Sequence, residues 1–175
     1  EALNPGVSFS VRMEEAESGE YAGDADAARW PRADGEFGDL DVQTSGILDL
    51  RIIPIRYNAD GSGRLPATSD AAIQRIVDGM MGMYAASEVR VTVDPVHDYG
   101  WGVNPNFTGW EALLQEVYSL RAQRNHPGNS YTYGLFAPAV DRYTYCNQGC
   151  VAGLSVNVEV ASWDDSRVSI GLGFD

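Results

Sequence analysis

The chain has 175 residues, 44% apolar and 10% aromatic, with a formal charge of −13 from 25 acidic and 12 basic side chains, all 12 of them Arg. That length supports one good hydrophobic core with a small appendage, and no run approaches the roughly 18 apolar residues of a membrane span. A surface this acidic repels phosphate backbones, which argues against nucleic acid as a partner.

Residues 1–45 read differently from the rest. Val7-Ser-Phe-Ser-Val11 alternates like a strand, and an acidic stretch rich in Gly and Ala runs from Glu14 to Asp41. Asp34-Gly-Glu-Phe-Gly-Asp-Leu-Asp41 lacks the Asp-x-Asp-x-Asp-Gly register of a calcium loop, so it reads as a solvated turn. This section is expected to be a short β-rich segment, the remnant of an accessory module or an arm on the main domain.

Residues 46–175 are regular. Ile47–Tyr57 predicts a strand, with Pro54 demanding a bulge or a locally unpaired position because it cannot donate to a ladder. Asn58-Ala-Asp-Gly-Ser-Gly63 predicts a turn. Ile73, Ile76, Val77, Met80 and Tyr84 then form one apolar helical stripe, N-capped by Thr68 or Ser69. Gly79 and Gly82 each cost about 1 kcal/mol relative to Ala inside a helix. Close approach to a sheet is their expected use, and methionine on this stripe reads as core filling. Val89, Val91 and Val93 alternate as a second strand, followed by an aromatic loop from Pro95 to Phe107. Thr108-Gly-Trp-Glu111 matches a capping box opening a second helix, with Trp110, Leu113, Leu114, Val117 and Tyr118 as its buried face and Asn125-His-Pro-Gly-Asn129 ending it. Three further strands cover residues 131–137, 151–160 and 167–174. The expected fold is α/β (α+β): a mixed, mostly parallel five-stranded sheet with two amphipathic helices. The last strand points Val168, Ile170, Leu172 and Phe174 to one side, and the chain stops at Asp175 before anything that would cover it, so a sheet face that is exposed, or covered by the N-terminal arm or another copy, is expected.

Cys146-Asn-Gln-Gly-Cys150 is spaced for a disulfide in a tight loop, which would place the chain in an oxidising, extracytoplasmic compartment. Two free thiols, or half of a metal site, are the alternatives. His97, in Asp94-Pro-Val-His-Asp98, reads as a surface-loop residue, and His126 as a helix C-terminal cation. Gly153-Leu-Ser-Val-Asn157 lacks the second Gly of a nucleophile elbow, and Gly61-Ser-Gly63 is followed by no phosphate-loop Lys. Tyr131, Tyr133, Tyr143 and Tyr145 read as core and edge packing rather than a sugar site. No self-sufficient catalytic constellation is present, and no residue is assigned to catalysis or to a metal.

Leu50-Arg-Ile-Ile-Pro-Ile-Arg-Tyr57, Asp60-Gly-Ser-Gly-Arg-Leu-Pro66, Tyr133-Gly-Leu-Phe-Ala137, Gly149-Cys-Val-Ala-Gly-Leu-Ser155 and Arg167-Val-Ser-Ile-Gly-Leu-Gly-Phe174 together resemble the upper, N-terminal subdomain of secreted bacterial zinc metallopeptidases of the zincin class. The resemblance covers residues 46–175. It implies a five-stranded mixed sheet whose one antiparallel edge strand lies above the active-site cleft and pairs with an extended substrate. By chain order that strand is the one holding Val151, Ala152, Gly153, Leu154 and Ser155, with Gly153 admitting a substrate backbone and a Cys146–Cys150 bridge stiffening the preceding loop. In that class a helix bearing His-Glu-x-x-His follows the stretch similar to residues 167–174 and supplies zinc ligands and the general base. This chain stops short of it.

The functional expectation is therefore part of a secreted zinc-dependent peptidase, inactive alone. Its partners would be a protein or peptide substrate and the active-site helix of the same polypeptide, with zinc in the longer protein but no cofactor in this chain. The alternative is a non-catalytic secreted α/β module that binds protein or glycan through its aromatic loops.

Overall fold

A computed structural model describes residues 8–12, 29–31, 37–39, 46–156 and 167–174. The chain divides into two compact units, Glu1–Ser45 and Gly46–Asp175.

In the first unit, β1 (Ser8–Phe9) pairs antiparallel with β4 (Gly38–Asp39), and β2 (Val11–Arg12) pairs antiparallel with β3 (Arg29–Trp30). Phe9 and Trp30 stack with ring centroids 5.1 Å apart. Gly38 is required beneath them, because a Cβ there would run into the Trp30 ring.

The second unit contains β5 (Ile47–Tyr57), α1 (Asp70–Met83), β6 (Glu88–Val93), β7 (His97–Tyr99), α2 (Trp110–Gln123), β8 (Tyr131–Phe136), α3 (Arg142–Tyr145), β9 (Gly153–Ser155) and β10 (Val168–Leu172). Its sheet runs β6-β5-β8-β10-β9, with β7 also on β5. All pairings are parallel except β9 with β10. The mixed, mostly parallel sheet is as the sequence predicts, but it has six strands rather than five because the short β7 also pairs with β5.

The lead edge differs from expectation in an instructive way. β6 pairs with β5 up to Ile52↔Val93, and β7 resumes at Ile55↔His97. Asp94, Pro95 and Val96 thus oppose only Ile53 and Pro54, a bulge in the lead strand. On its other side Pro54 stays in register with Leu135. The Pro54 constraint is met by a gap in one neighbour while the long strand itself continues. His97 consequently lies in a strand, not in the loop expected for it.

The helices take opposite faces. α1 is capped by Ser69, whose hydroxyl accepts from the Ala72 amide, and it lays Ile73, Ile76 and Met80 against Leu50, Ile52 and Leu135. Tyr84, expected in that stripe, is exposed at the C-cap, and Gly79 and Gly82 approach nothing: a Cβ at either meets open space. The close-approach expectation for those glycines is therefore wrong; they face solvent. α2 buries Trp110, Leu113, Leu114, Val117 and Leu120 against Ile53, Ile55, Phe136, Val168 and Ile170, with Trp110 edge-on to Phe136 at 5.1 Å. Among the described residues, fourteen buried ones make up the cluster on the α2 face and three that on the α1 face, so the main core is on the α2 side.

Thr108 does not cap α2. The N-cap is Gly109 at φ +87°, with no side-chain hydrogen bond, because the 104–108 loop folds back through Asn104 N–H to Thr108 O. A Cβ on Gly109 would collide with the Gly102 carbonyl, so the backbone packs where a capping side chain would have gone.

Candidate functional site

The two edges of the sheet are built differently. The β6–β7 edge is blunted by the bulge, by Pro95, and by a charged pair in which Arg90 donates to both Glu88 oxygens at 2.7 and 3.0 Å. These are devices that prevent strand addition. At the other edge β9 carries Gly153, Leu154 and Ser155, without charge, proline or bulge. Among the described residues β9 pairs with β10 alone, in the register Ser169↔Ser155, Ile170↔Leu154 and Gly171↔Gly153.

That register decides which groups face outward. The Leu172 amide donates to Ala152 O at 3.1 Å and the Val156 amide to Val168 O at 3.0 Å, so residues 152, 154 and 156 turn their backbone polar groups toward β10. In an antiparallel pair the alternate residues then direct theirs away. Gly153 and Ser155 present N–H and C=O at the free edge. Leu154, half-buried, packs on the α2 core and anchors the strand. Val151 is half-buried and Ala152 exposed, both just before β9, so of the five residues expected in this strand three lie in it; residues 157–160 of the expected strand lie outside the described residues.

A compact loop leads into β9. Asp141 caps α3, accepting the Thr144 amide at 2.7 Å, a bond that lowers its pKa. α3 buries Tyr145, whose hydroxyl donates to Val103 O at 3.2 Å, and burial pushes that phenol up to about 12. Cys146 and Cys150 form a disulfide, which resolves the three alternatives for the pair. Gly149 supplies a φ of +91° inside the ring, and the Val151 amide donates to Pro105 O at 3.0 Å. The tyrosines divide: Tyr143 and Tyr145 lie on a helical turn rather than a strand, one exposed and one buried, and Tyr133 lies over Gly171, where no side chain would fit.

The histidines have partners that chain order does not reveal. His97 Nε2 is 2.5 Å from Glu116 Oε1 on α2, beside a surface groove of about 380 Å³ lined also by Gln115, Ser119 and Gln123. His126 is almost wholly enclosed: Nδ1 is 2.8 Å from Thr132 Oγ1 and Nε2 is 2.7 Å from Asp94 Oδ2, the latter off the line a hydrogen bond takes. Arg121 donates to Thr132 Oγ1 at 2.9 Å and to the Ser130 and Pro127 carbonyls at 2.8 and 2.9 Å. Burial lowers the His126 pKa, Asp94 opposes that shift, and Arg51 and Arg121 reinforce it. Both ring nitrogens face side chains inside the fold, Thr132 on one side and Asp94 on the other. The sequence places this ring at the carbonyl end of α2; its nearest partners are instead side chains of β8 and of the bulge. The Thr132–His126–Asp94 sequence has the connectivity of a nucleophile relay, but Thr132 is 0% exposed and its hydroxyl is held by Arg121. No substrate can reach it, and the cluster ties the end of α2 to the sheet.

Beneath α1 an apolar groove of about 370 Å³ runs along the sheet, lined by Ile76, Met80, Met83, Tyr133, Leu135 and Phe174 among others. The exposed face expected of the last strand is not found there: Val168 and Ile170 are buried under α2, with Leu172 and Phe174 packed against the same core. Among the described residues no three His, Cys, Asp or Glu side chains group as metal ligands, and no helix is long and apolar enough to cross a membrane. No family model, curated protein or solved structure matches the chain.

Proposed function

We propose that residues 46–175 form the upper wall of the substrate cleft of a secreted, zinc-dependent peptidase, with the free edge of β9 aligning an extended peptide for cleavage. The observation that carries this reading is the contrast between the two edges: one is blunted by charge, bulge and proline, and the other, among the described residues, is bare. A bare edge invites an added strand, and strand addition is how an extended peptide is held without regard to most of its side chains. The single antiparallel strand at that edge fits what the zincin resemblance implies. The Cys146–Cys150 bridge fits an oxidising compartment. His97 and His126, committed to Glu116 and Asp94, do not suit a zinc site, so no residue of this chain is assigned to the metal. In this reading zinc belongs to the His-Glu-x-x-His helix, and the chain by itself cleaves nothing.

The test uses extended peptides titrated into the isotopically labelled chain. The Gly153 and Ser155 amides should shift first, and N-methylation of the peptide should weaken binding about tenfold per blocked ladder bond at every second position only. Binding indifferent to N-methylation at either phase defeats strand addition.

A second reading is favoured by the exposure of Trp101 (75%), in the loop after β7, and Tyr143 (88%), on α3 after β8. It is a non-catalytic secreted module that binds protein or glycan through aromatic stacking. Shifts centred on Trp101 and Tyr143, with β9 silent, would select it.

A further inference from the structure

We propose that the Cys146–Cys150 bridge is a redox-controlled clamp on the free edge: oxidised, it holds Val151–Ser155 in register on β10; reduced, it releases that segment while the rest of the sheet stays folded. The consequence for peptide capture rests on the reading of β9 given above; the clamp itself does not.

Three observations carry it. The bridge links residues only four apart, and so small a ring removes little freedom from the unfolded chain compared with a long loop. Its effect on global stability is correspondingly small. The main core, from Ile53 to Ile170, is made of residues outside the ring, with the two cysteines packed only at its margin. What the ring does fix is local. It joins the C-cap of α3 to the residue before Val151, whose amide on Pro105 O precedes the first bond to β10, from the Leu172 amide to Ala152 O. β9 itself is three residues long, with one neighbour among the described residues; Leu154 within it and Val151 and Val156 beside it are only half-buried. A strand that short depends on how its ends are held. Asn147, Gln148 and Gly149 inside the ring are exposed and both cysteines are half-buried, so a reductant can approach.

The reaction is thiol–disulfide exchange with a dithiol reductant. A thiolate of the dithiol attacks one sulfur, forming a mixed disulfide and releasing the other cysteine as a thiolate. The second thiol of the reductant then displaces the first cysteine and leaves as a cyclic disulfide. Two electrons pass from the dithiol to the cysteines, and the two protons of its thiols end on Cys146 and Cys150.

Amide hydrogen exchange on the full chain, with and without excess dithiothreitol and with thiol labelling to count free sulfurs, tests this. Reduction should accelerate exchange at Val151, Val156 and Leu172 at least tenfold and leave Ile52, Ile53 and Ile55 unchanged. The Cys146→Ser/Cys150→Ser variant should behave as the reduced protein without reductant. Unchanged exchange after complete reduction, acceleration spread evenly into β5, or a bridge that remains oxidised in excess dithiol each overturn the proposal. Peptide titration on the same samples separates the two ideas. Loosened β9 amides with peptide binding unchanged retain the clamp and reject β9 as the peptide site.

Discussion

His126 Nε2 lies 2.7 Å from Asp94 Oδ2, joining the turn after α2 to the bulge between β6 and β7. Arg51 and Arg124 stand 3.8 and 3.7 Å from the same carboxylate, and Arg121 and Thr132 close the other side of the ring. The native environment lowers the His126 pKa, with burial as the largest cause. The unfolded chain therefore binds a proton near the ordinary value of about 6.5 that the folded chain refuses. This contribution to stability is complete above that value and lost as pH falls from it toward the folded pKa. Denaturant midpoints measured from pH 7.5 to 5 should decline, and His126→Gln should flatten the decline attributable to this group. An unchanged slope in the variant would show that the ring titrates freely.

Arg121, 5% exposed, holds the Ser130 and Thr132 side of that cluster and the 127–128 carbonyls together. Arg121→Met keeps the apolar stem but strands several buried acceptors, and about 3 kcal/mol of destabilisation is expected. Arg121→Lys should recover only part of it, since an ammonium cannot reproduce the planar fork. Urea unfolding of the three proteins gives the comparison.

Gly109 and Gly79 are both glycines at or within helices, and they should respond oppositely to alanine. Gly109 has φ +87° and its added Cβ meets the Gly102 carbonyl, whereas at Gly79 the space is open. Gly109→Ala should lose more than 2 kcal/mol; Gly79→Ala should gain up to about 1 kcal/mol from helix propensity. Thermal melts decide both.

The two helix starts provide a further contrast. Ser69→Ala removes the hydroxyl that accepts the Ala72 amide and should cost about 1 kcal/mol. Thr108→Ala removes a hydroxyl that caps nothing and should fall within about 0.5 kcal/mol of the parent. An equal loss at both sites would restore the capping box at α2.

The sequence by itself determined the strands and helices whose side-chain period is strong: β5 from Ile47 to Tyr57, the Ser69-capped α1 and the buried face of α2. In these, burial of a repeating apolar face is a local property of the chain, readable residue by residue. The mixed, mostly parallel sheet followed from the lengths of the connections, and the Cys146–Cys150 spacing already favoured a bridge. Only the tertiary structure decided the rest. A capping box at Thr108 loses to a backbone that folds back from Gly102, and the constraint at Pro54 is absorbed by a neighbouring strand. Asp94, Arg121, His126 and Thr132 are drawn from the bulge between β6 and β7, from α2, from the turn after α2 and from β8, so no spacing announces their cluster. Which edge is blunted and which is left bare depends on strand order, because an edge exists only once neighbours have been assigned. Long-range pairing, not local propensity, therefore places the surface on which the proposed function stands.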